Sequence, residues 1–339
     1  MSMSQEAPET IRAVRLVVDR PPVLAQVPRP EVGPKDVRLA ITYGGICLSD
    51  LHYIDGERAP GMPDELTLGH ELSGTVSEVG TEVTRWTVGD PAIVSPVGER
   101  DGIVHIVGVH RDGGWADEIV VGQDDLVSAE GIPLDQATII PDAVSTPWAA
   151  ITDSGRVRPT EAVGVWGLGG LGYHAVQLLR LIGAAPIVAI DPNPVARQRA
   201  LDRGADAALD PGEDGFEERL SALTDGRGLD VAMDFFGHAS IQQQAFDALG
   251  RHGRLVLVGI PNTPLVIDSS PQLVRSGRQI IGHHGLATRH IEEVVSLIRH
   301  GRLDLSQSIS AILPLEDFAE AIDRLRTKTG SPIRILLRA

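Results

Sequence analysis

With 339 residues, the chain is longer than one ordinary core requires and suits two domains, each able to bury its own apolar surface. Its formal charge of −16 argues against a nucleic-acid partner, because a polyphosphate surface needs clustered Lys and Arg. No apolar run reaches the roughly 18–20 residues of a spanning helix, and the start, 1–10, is polar without a hydrophobic signal core, so no membrane partner and a cytoplasmic location are expected. The single cysteine, Cys47, excludes an internal disulfide and leaves open a reactive or metal-bound thiolate.

Residues 11–45 carry short apolar runs, 14–18 and 37–41, broken by Pro21, Pro22, Pro28, Pro30 and the Gly33-Pro34 pair. Runs of this length between turn residues predict β-strands. The stretch 69–94 continues the pattern, with Gly74, Gly80 and Gly89-Asp90 as punctuation. From Glu161 the texture changes. A strand is predicted over 162–166, then a glycine turn and a helix over 173–182. A strand over 187–190 follows, then a helix over 195–203, a strand over 229–233, a helix over 241–249 and a strand over 254–258. Strands alternating with helices predict βαβ units and a parallel sheet covered on both faces. The tail, with helices over 291–298 and 315–325 and a strand over 334–337, has no glycine fingerprint and is free to return to the first domain.

The run Gly167-Leu168-Gly169-Gly170-Leu171-Gly172 follows a predicted strand and opens a predicted helix. That context separates a dinucleotide fingerprint from a mere glycine-rich turn. The first glycine permits the tight turn, the second lets the backbone approach a pyrophosphate, and the third lets helix and strand pack closely. Asp191 ends the next strand, about twenty residues on, where a carboxylate reaches the ribose hydroxyls and repels a 2′-phosphate. Pro192, Asn193 and Pro194 follow it, and no Arg or Lys comes before Arg197, so NAD is expected rather than NADP.

Cys47, His70 and Glu71 are metal-ligand types, but a lone cysteine is more often a small buried hydrophobe and a lone histidine an ordinary hydrogen-bonded residue. Their neighbours change the weighting. Gly44-Gly45-Ile46-Cys47-Leu48-Ser49-Asp50-Leu51-His52 and Gly69-His70-Glu71-Leu72-Ser73-Gly74-Thr75-Val76-Ser77-Glu78-Val79-Gly80 are similar to the two signature segments of the zinc-dependent medium-chain dehydrogenase/reductase family. The resemblance covers nearly the whole chain after Thr10. Gly89-Asp90, the segment Gly113-Gly114-Trp115-Ala116-Asp117 and the glycine fingerprint fall in the family's order.

The resemblance implies an α/β protein in which a GroES-like, strand-rich catalytic domain, split over 1–143 and 285–339, flanks a doubly wound parallel (Rossmann) cofactor domain over 144–284. It implies one catalytic zinc held by Cys47, His70 and a third ligand just before the cofactor domain, where Asp142 stands. A carboxylate oxygen is a legitimate zinc ligand there. Glu71 is expected beside the metal or as a transient fourth ligand; the alternative gives Glu71 the permanent bond and leaves Asp142 as a capping or loop carboxylate. Asp50 is implied to orient His70. Ser49 is implied to bond the substrate oxygen and pass its proton through the nicotinamide ribose to His52, although Ser49 and Asp50 also suit plain turn chemistry.

Gly259, Ile260 and Pro261 are expected beside the nicotinamide, with Leu48, Tyr53 and Trp148 as pocket liners if they are not simply core. Relatives carry a four-cysteine lobe for a second zinc. Here 95–110 holds none, so no structural zinc is expected, and His105 and His110 are taken as ordinary loop residues. In the segment Gly282-His283-His284-Gly285 the chain departs from the family pattern, and Arg289 is the candidate for the arginine that relatives place near the pyrophosphate. The implied activity is NAD-linked oxidation of a small alcohol to its aldehyde or ketone by a homodimer or homotetramer. A zinc-independent quinone or enoyl reductase is the alternative, and Cys47, Ser49 and His70 together speak against it.

Overall fold

A computed structural model of the chain describes residues 9–100, 102–260, 264–266 and 270–339. The chain divides into two compact units, Met1–Asp142 with Ala287–Ala339, and Ala143–Leu286. Among the described residues no helix is long and apolar enough to cross a membrane.

The first unit runs through β1 (Thr10–Val17), β2 (Val23–Pro28), β3 (Asp36–Ile46), the short helix α1 (Leu48–Ile54), β4 (Glu65–Thr67), β5 (Leu72–Val79), β6 (Pro91–Val94), the hairpin strands β7 (Val97–Arg100) and β8 (Ile103–Ile106), β9 (Glu118–Gly122), β10 (Leu126–Ser128) and α2 (Leu134–Ile139). Strand β1 lies between β2 and β4, while β10, β6, β5 and β3 line up in a larger sheet with β9 also paired to β3. In β3, Val37, Leu39 and Ile41 alternate inward and pack with Leu72, Val76, Val94 and Ile119. This period of two buries one face of the sheet.

A continuous helical stretch leads out of this unit. Helix α2 passes into a π-helical turn over Ile140–Val144, then α3 (Ser145–Ala149) and a second π-helical turn over Ala150–Ser154. Widened turns of this kind re-aim a side chain without ending the helix, and the first of them carries Asp142.

The second unit alternates strand and helix: β11 (Val163–Trp166), α4 (Gly170–Ile182), β12 (Ile187–Ile190), α5 (Pro194–Asp202), β13 (Ala207–Leu209), α6 (Phe216–Leu223), β14 (Leu229–Asp234), α7 (Ala239–Asp247), β15 (Leu249–Leu257), α8 (Ser270–Ser276) and β16 (Gln279–Gly282). All pairings are parallel, in the order β13-β12-β11-β14-β15-β16. Every residue of β11 and β12 is buried, as a sheet covered on both faces demands. The order reverses between β11 and β14, and such a switch point is where open α/β sheets bind ligands, beyond the carboxyl ends of the strands. The chain ends in α9 (Thr288–Arg299), β17 (Ile309–Pro314), α10 (Phe318–Arg326) and β18 (Arg334–Arg338). Strand β18 pairs antiparallel with β3, so the tail completes the first unit's sheet.

Four local expectations are corrected. The strand expected to start at 254 begins at Leu249, taking the end of the expected helix. A register shift between its pairs with Leu229 and Val231 absorbs the intervening glycines. The helix expected from Leu315 opens as a 3₁₀ turn, and α10 begins at Phe318. The elements β13, α6, α8, β16 and β17 are additional to those expected. His105 lies on a strand, β8, rather than in a loop, with Nε2 3.2 Å from Arg111 Nη1 and 3.9 Å from Asp125.

Candidate functional site

In the first unit, Cys47 sits between β3 and α1. The Cys47 N–H donates to Asp50 Oδ2 at 2.8 Å, the reciprocal half of a capping box at the start of α1. That bond fixes Asp50, which is fully buried, with Oδ1 3.4 Å from His70 Nδ1. His70 lies between β4 and β5, and its other ring nitrogen, Nε2, is 3.6 Å from Asp142 Oδ2. Cys47 Sγ is 3.3 Å from the same oxygen. The three donor atoms lie within 4.8 Å of one another, the one such group among the described residues.

These spacings bear on metal binding. A tetrahedral ion with bonds of about 2.0–2.3 Å holds its ligand atoms about 3.3–3.8 Å apart, and the thiol–carboxylate and imidazole–carboxylate distances both fall in that window. One sulfur, one imidazole nitrogen and one carboxylate oxygen suit Zn²⁺, and three protein donors leave a fourth position for substrate. The electrostatics agree. Burial by itself lowers the pKa of His70, but Asp50, Asp142 and Cys47 together outweigh it and hold the imidazole well above the usual histidine value. A pocket that stabilises positive charge on a buried imidazole also favours a cation.

Glu71 follows His70 directly, yet its carboxylate goes elsewhere. Glu71 Oε1 pairs with Arg334 Nη2 at 2.9 Å, and the same nitrogen lies 3.2 Å from Asp142 Oδ2. Arg334 opens β18, is 2% exposed and reaches the Ile46 carbonyl with Nη1. Burial pulls its pKa down, while Glu71, Cys47 and Asp142 push it up by more. No sequence motif marks Arg334. Its only local signal is a lone charge at the head of an apolar run, Ile335-Leu336-Leu337.

Ser49 is placed by the first turn of α1, with Oγ 3.5 Å from His70 Nε2. His52 is exposed one turn on, 3.6 Å from Glu57. Leu48 is exposed, while Tyr53 is half-buried against the cluster of Leu51 and Met62, where burial raises its pKa. Trp148 is half-buried on α3. Arg289 is exposed and lies 3.4 Å from Glu293 one helical turn on.

In the second unit the glycine run links β11 to α4. Gly167 has φ +84°, which side chains rarely adopt, and a Cβ on Gly172 would come within 1.8 Å of the Gly167 carbonyl oxygen. A Cβ on Gly169 would meet nothing within 4 Å, so open space lies ahead of the helix start at Gly170 and Leu171. That space, ahead of the N–H groups that a helix start leaves without intrahelical partners, fits a pyrophosphate. Asp191, just past β12, accepts the Leu168 N–H on Oδ2 and the Asn193 N–H on Oδ1, each at 2.8 Å. Its carboxylate therefore braces the loop, with lone pairs remaining on both oxygens. Arg197 is engaged by Asp210 at 2.9 Å and by the carbonyls of Asp191 and Pro192. Gly259 and the exposed Ile260 follow β15 at the carboxyl edge. Pro261 lies outside the described residues.

A parallel sheet with a phosphate loop and, in the other unit, a three-donor metal site define a class: metal-dependent dehydrogenases linked to a dinucleotide. Comparison with known proteins names the family. Residues 33–131 match the alcohol dehydrogenase GroES-like domain and 170–300 the zinc-binding dehydrogenase domain. A probable zinc-binding alcohol dehydrogenase of Mycobacterium tuberculosis is 31% identical over 327 residues, covering 90% of this chain and 83% of that protein. An L-threonine 3-dehydrogenase of Caldanaerobacter subterraneus is 30% identical over 320 residues, covering 87% and 89%. Among solved structures, the alcohol dehydrogenase of Aeropyrum pernix superposes with a TM-score of 0.87 at 27% identity, covering 97% of this chain and all of that one. The 2R,3R-butanediol dehydrogenase of Bacillus subtilis reaches 0.88 at 24% identity, with 97% and 99% covered, a likeness of fold. The chain belongs to the zinc-binding, medium-chain alcohol dehydrogenase family and is an oxidoreductase of the alcohol and threonine dehydrogenase type.

Proposed function

We propose that the chain is a zinc-dependent, NAD-linked alcohol dehydrogenase acting on a primary or secondary alcohol, with aldehyde or ketone reduction as the reverse. The observation that carries this reading is the clustering of Cys47, His70 and Asp142 within 4.8 Å of one another, with Asp142 Oδ2 at tetrahedral spacing from Cys47 Sγ and His70 Nε2. When bound, one zinc supplies Lewis-acid polarisation of the substrate oxygen and NAD supplies the hydride acceptor. Cys47, His70 and Asp142 hold the metal. Asp50, fixed by the Cys47 N–H, holds the Nδ1 side of His70 so that Nε2 faces the centre. Ser49 Oγ, beside that nitrogen, relays the alcohol proton by accepting it as its own hydroxyl proton is passed on, and the exposed His52 is the acceptor at the solvent edge. Glu71, paired with Arg334, stands behind the site and enters only as a transient ligand. Gly167, Gly169, Gly170, Leu171 and Gly172 bind the pyrophosphate, and Gly259 and Ile260 flank the nicotinamide.

The test is metal analysis by emission spectroscopy together with NADH absorbance on a panel of simple alcohols, L-threonine and 2,3-butanediol. About one zinc per chain and turnover of at least one alcohol are expected. A metal-free chain that reduces quinones instead would overturn the reading.

Cofactor choice gives a second expected result. The Asp191 carboxylate repels a 2′-phosphate, and Arg197 is already engaged by Asp210, so kcat/KM with NAD should exceed that with NADP by at least about tenfold. Asp191→Gly should shrink the ratio. It should also raise KM for NAD, because the braces to Leu168 and Asn193 go with it. Equal or better kcat/KM with NADP in the unaltered enzyme would show that Asp191 does not face the ribose.

A further inference from the structure

Asp234, the last residue of β14, is fully buried and lies outside every motif of the family resemblance. Its Oδ1 accepts the N–H groups of Phe236 at 2.9 Å and Gly237 at 3.0 Å, and its Oδ2 accepts Gln242 Nε2 at 2.9 Å. Gln242 is also fully buried. Burial pushes the Asp234 carboxyl above its usual value while these donors pull it down. A carboxylate kept here under three converging donors fixes the 235–237 turn far more firmly than the backbone alone would. The Asp234 carbonyl, in addition, accepts the N–H groups of both Val258 and Gly259 at 2.9 Å.

The turn so fixed is wedged between two others. A Cβ on Gly237 would stand 2.7 Å from the Gly259 carbonyl carbon and 2.9 Å from the Ile260 nitrogen, so the two backbones touch. On the other side, Phe236 meets Gly167, whose added Cβ would lie 3.2 Å from the Phe236 Cβ and nitrogen. One buried carboxylate thereby sets the spacing of the phosphate loop and of the segment after β15, both at the carboxyl edge of the sheet. In a sheet of this order each half binds one mononucleotide. Asp234 belongs to the β14-β15-β16 half, opposite the β12 half that carries Asp191.

We propose that Asp234 is a positioning residue for the nicotinamide half of the dinucleotide, acting through the Phe236–Gly237 turn on Gly259 and Ile260. The proposal rests on the dinucleotide reading above. Adenosine binding depends on Asp191 and the first half of the sheet, so loss of Asp234 separates the two halves of the ligand.

The experiment is calorimetric titration of the zinc-loaded enzyme and its variants with NADH and, separately, with AMP. Asp234→Ala is expected to weaken NADH by about tenfold, the scale of one lost charge-assisted hydrogen bond, and to leave AMP within about twofold. Asp234→Asn should stay near the unaltered enzyme. Its amide oxygen still accepts from the turn, and Gln242 can rotate to offer Oε1, which has no hydrogen-bond partner among the described residues, to the new amide N–H. Gln242→Met removes one donor of three and carries the test if Asp234→Ala does not fold, with a smaller but still NADH-selective loss. Equal weakening of NADH and AMP, no weakening of either, or an Asn variant no better than Ala would overturn the positioning role and leave the dinucleotide site standing. An unaltered enzyme that binds neither NADH nor NADPH would overturn the dinucleotide reading and this role with it.

Discussion

His70→Ala is expected to release the bound zinc on dialysis and to lower kcat/KM by about three orders of magnitude or more. The reasoning is one of scale. Removing a group that merely supports a metal ligand costs about 10–100-fold in affinity or activity, and His70 is itself one of the three donors, among the described residues, that lie within 4.8 Å of one another. Its loss forfeits both the metal and the polarised substrate oxygen. Cys47→Ser and Asp142→Ala should follow the same pattern, measured as zinc per chain by emission spectroscopy before and after dialysis. Glu71→Gln should differ, because Glu71 is engaged by Arg334 at 2.9 Å while Asp142 faces the sulfur and the imidazole. It should keep its zinc and change mainly substrate or product exchange. Full zinc in Asp142→Ala with loss in Glu71→Gln would reverse the ligand assignment.

Arg334→Ala should be the most destabilising single change at the site. Arg334 is 2% exposed and Glu71 is fully buried, so truncation removes the counter-charge that Arg334 supplies to a buried carboxylate. Breaking a buried pair in this way costs about 3–5 kcal/mol, a large part of the 5–15 kcal/mol that holds a typical domain together. At roughly 2–4 °C per kcal/mol for a unit of this size, a fall in Tm of about 10 °C is expected in calorimetry. Replacing both partners removes the stranded charge, so the double variant R334M/E71Q should recover much of the loss, a coupling that a double-mutant cycle reads directly. Losses that simply add would show that Arg334 and Glu71 do not act as a pair. Since Arg334 Nη2 also lies 3.2 Å from Asp142, zinc retention in R334M/E71Q separates the stability role from any hold on the ligand.

Much of this protein was set by local sequence. The apolar periods over 162–166, 173–182 and 187–190 specify strand, helix and strand without outside help, since a short apolar run and a 3.6-residue stripe bury different faces. The turn at the glycine run and the contact of Asp191 with the Leu168 N–H are local in the same way, confined to one turn and the neighbouring strand end. The bond from the Cys47 N–H to Asp50 is likewise local, because a helix start brings a residue and the third one after it together.

Tertiary structure decided the rest. Strand β15 begins at Leu249 because β14 offers Leu229 as its partner. The sequence 250–253, Gly-Arg-His-Gly, carries no strand period of its own. Asp142 reaches Cys47 through a π-helical turn, 95 residues away in the chain, and no periodicity announces a widened turn. Arg334 lies 192 residues beyond Asp142, on a strand that joins the sheet only when the tail returns beside β3. Sequence period reports which face of an element is buried, whereas the partners of a buried charge are fixed by where distant elements pack, and at this site that packing places Glu71 on Arg334 and Asp142 within ligand distance of Cys47 and His70.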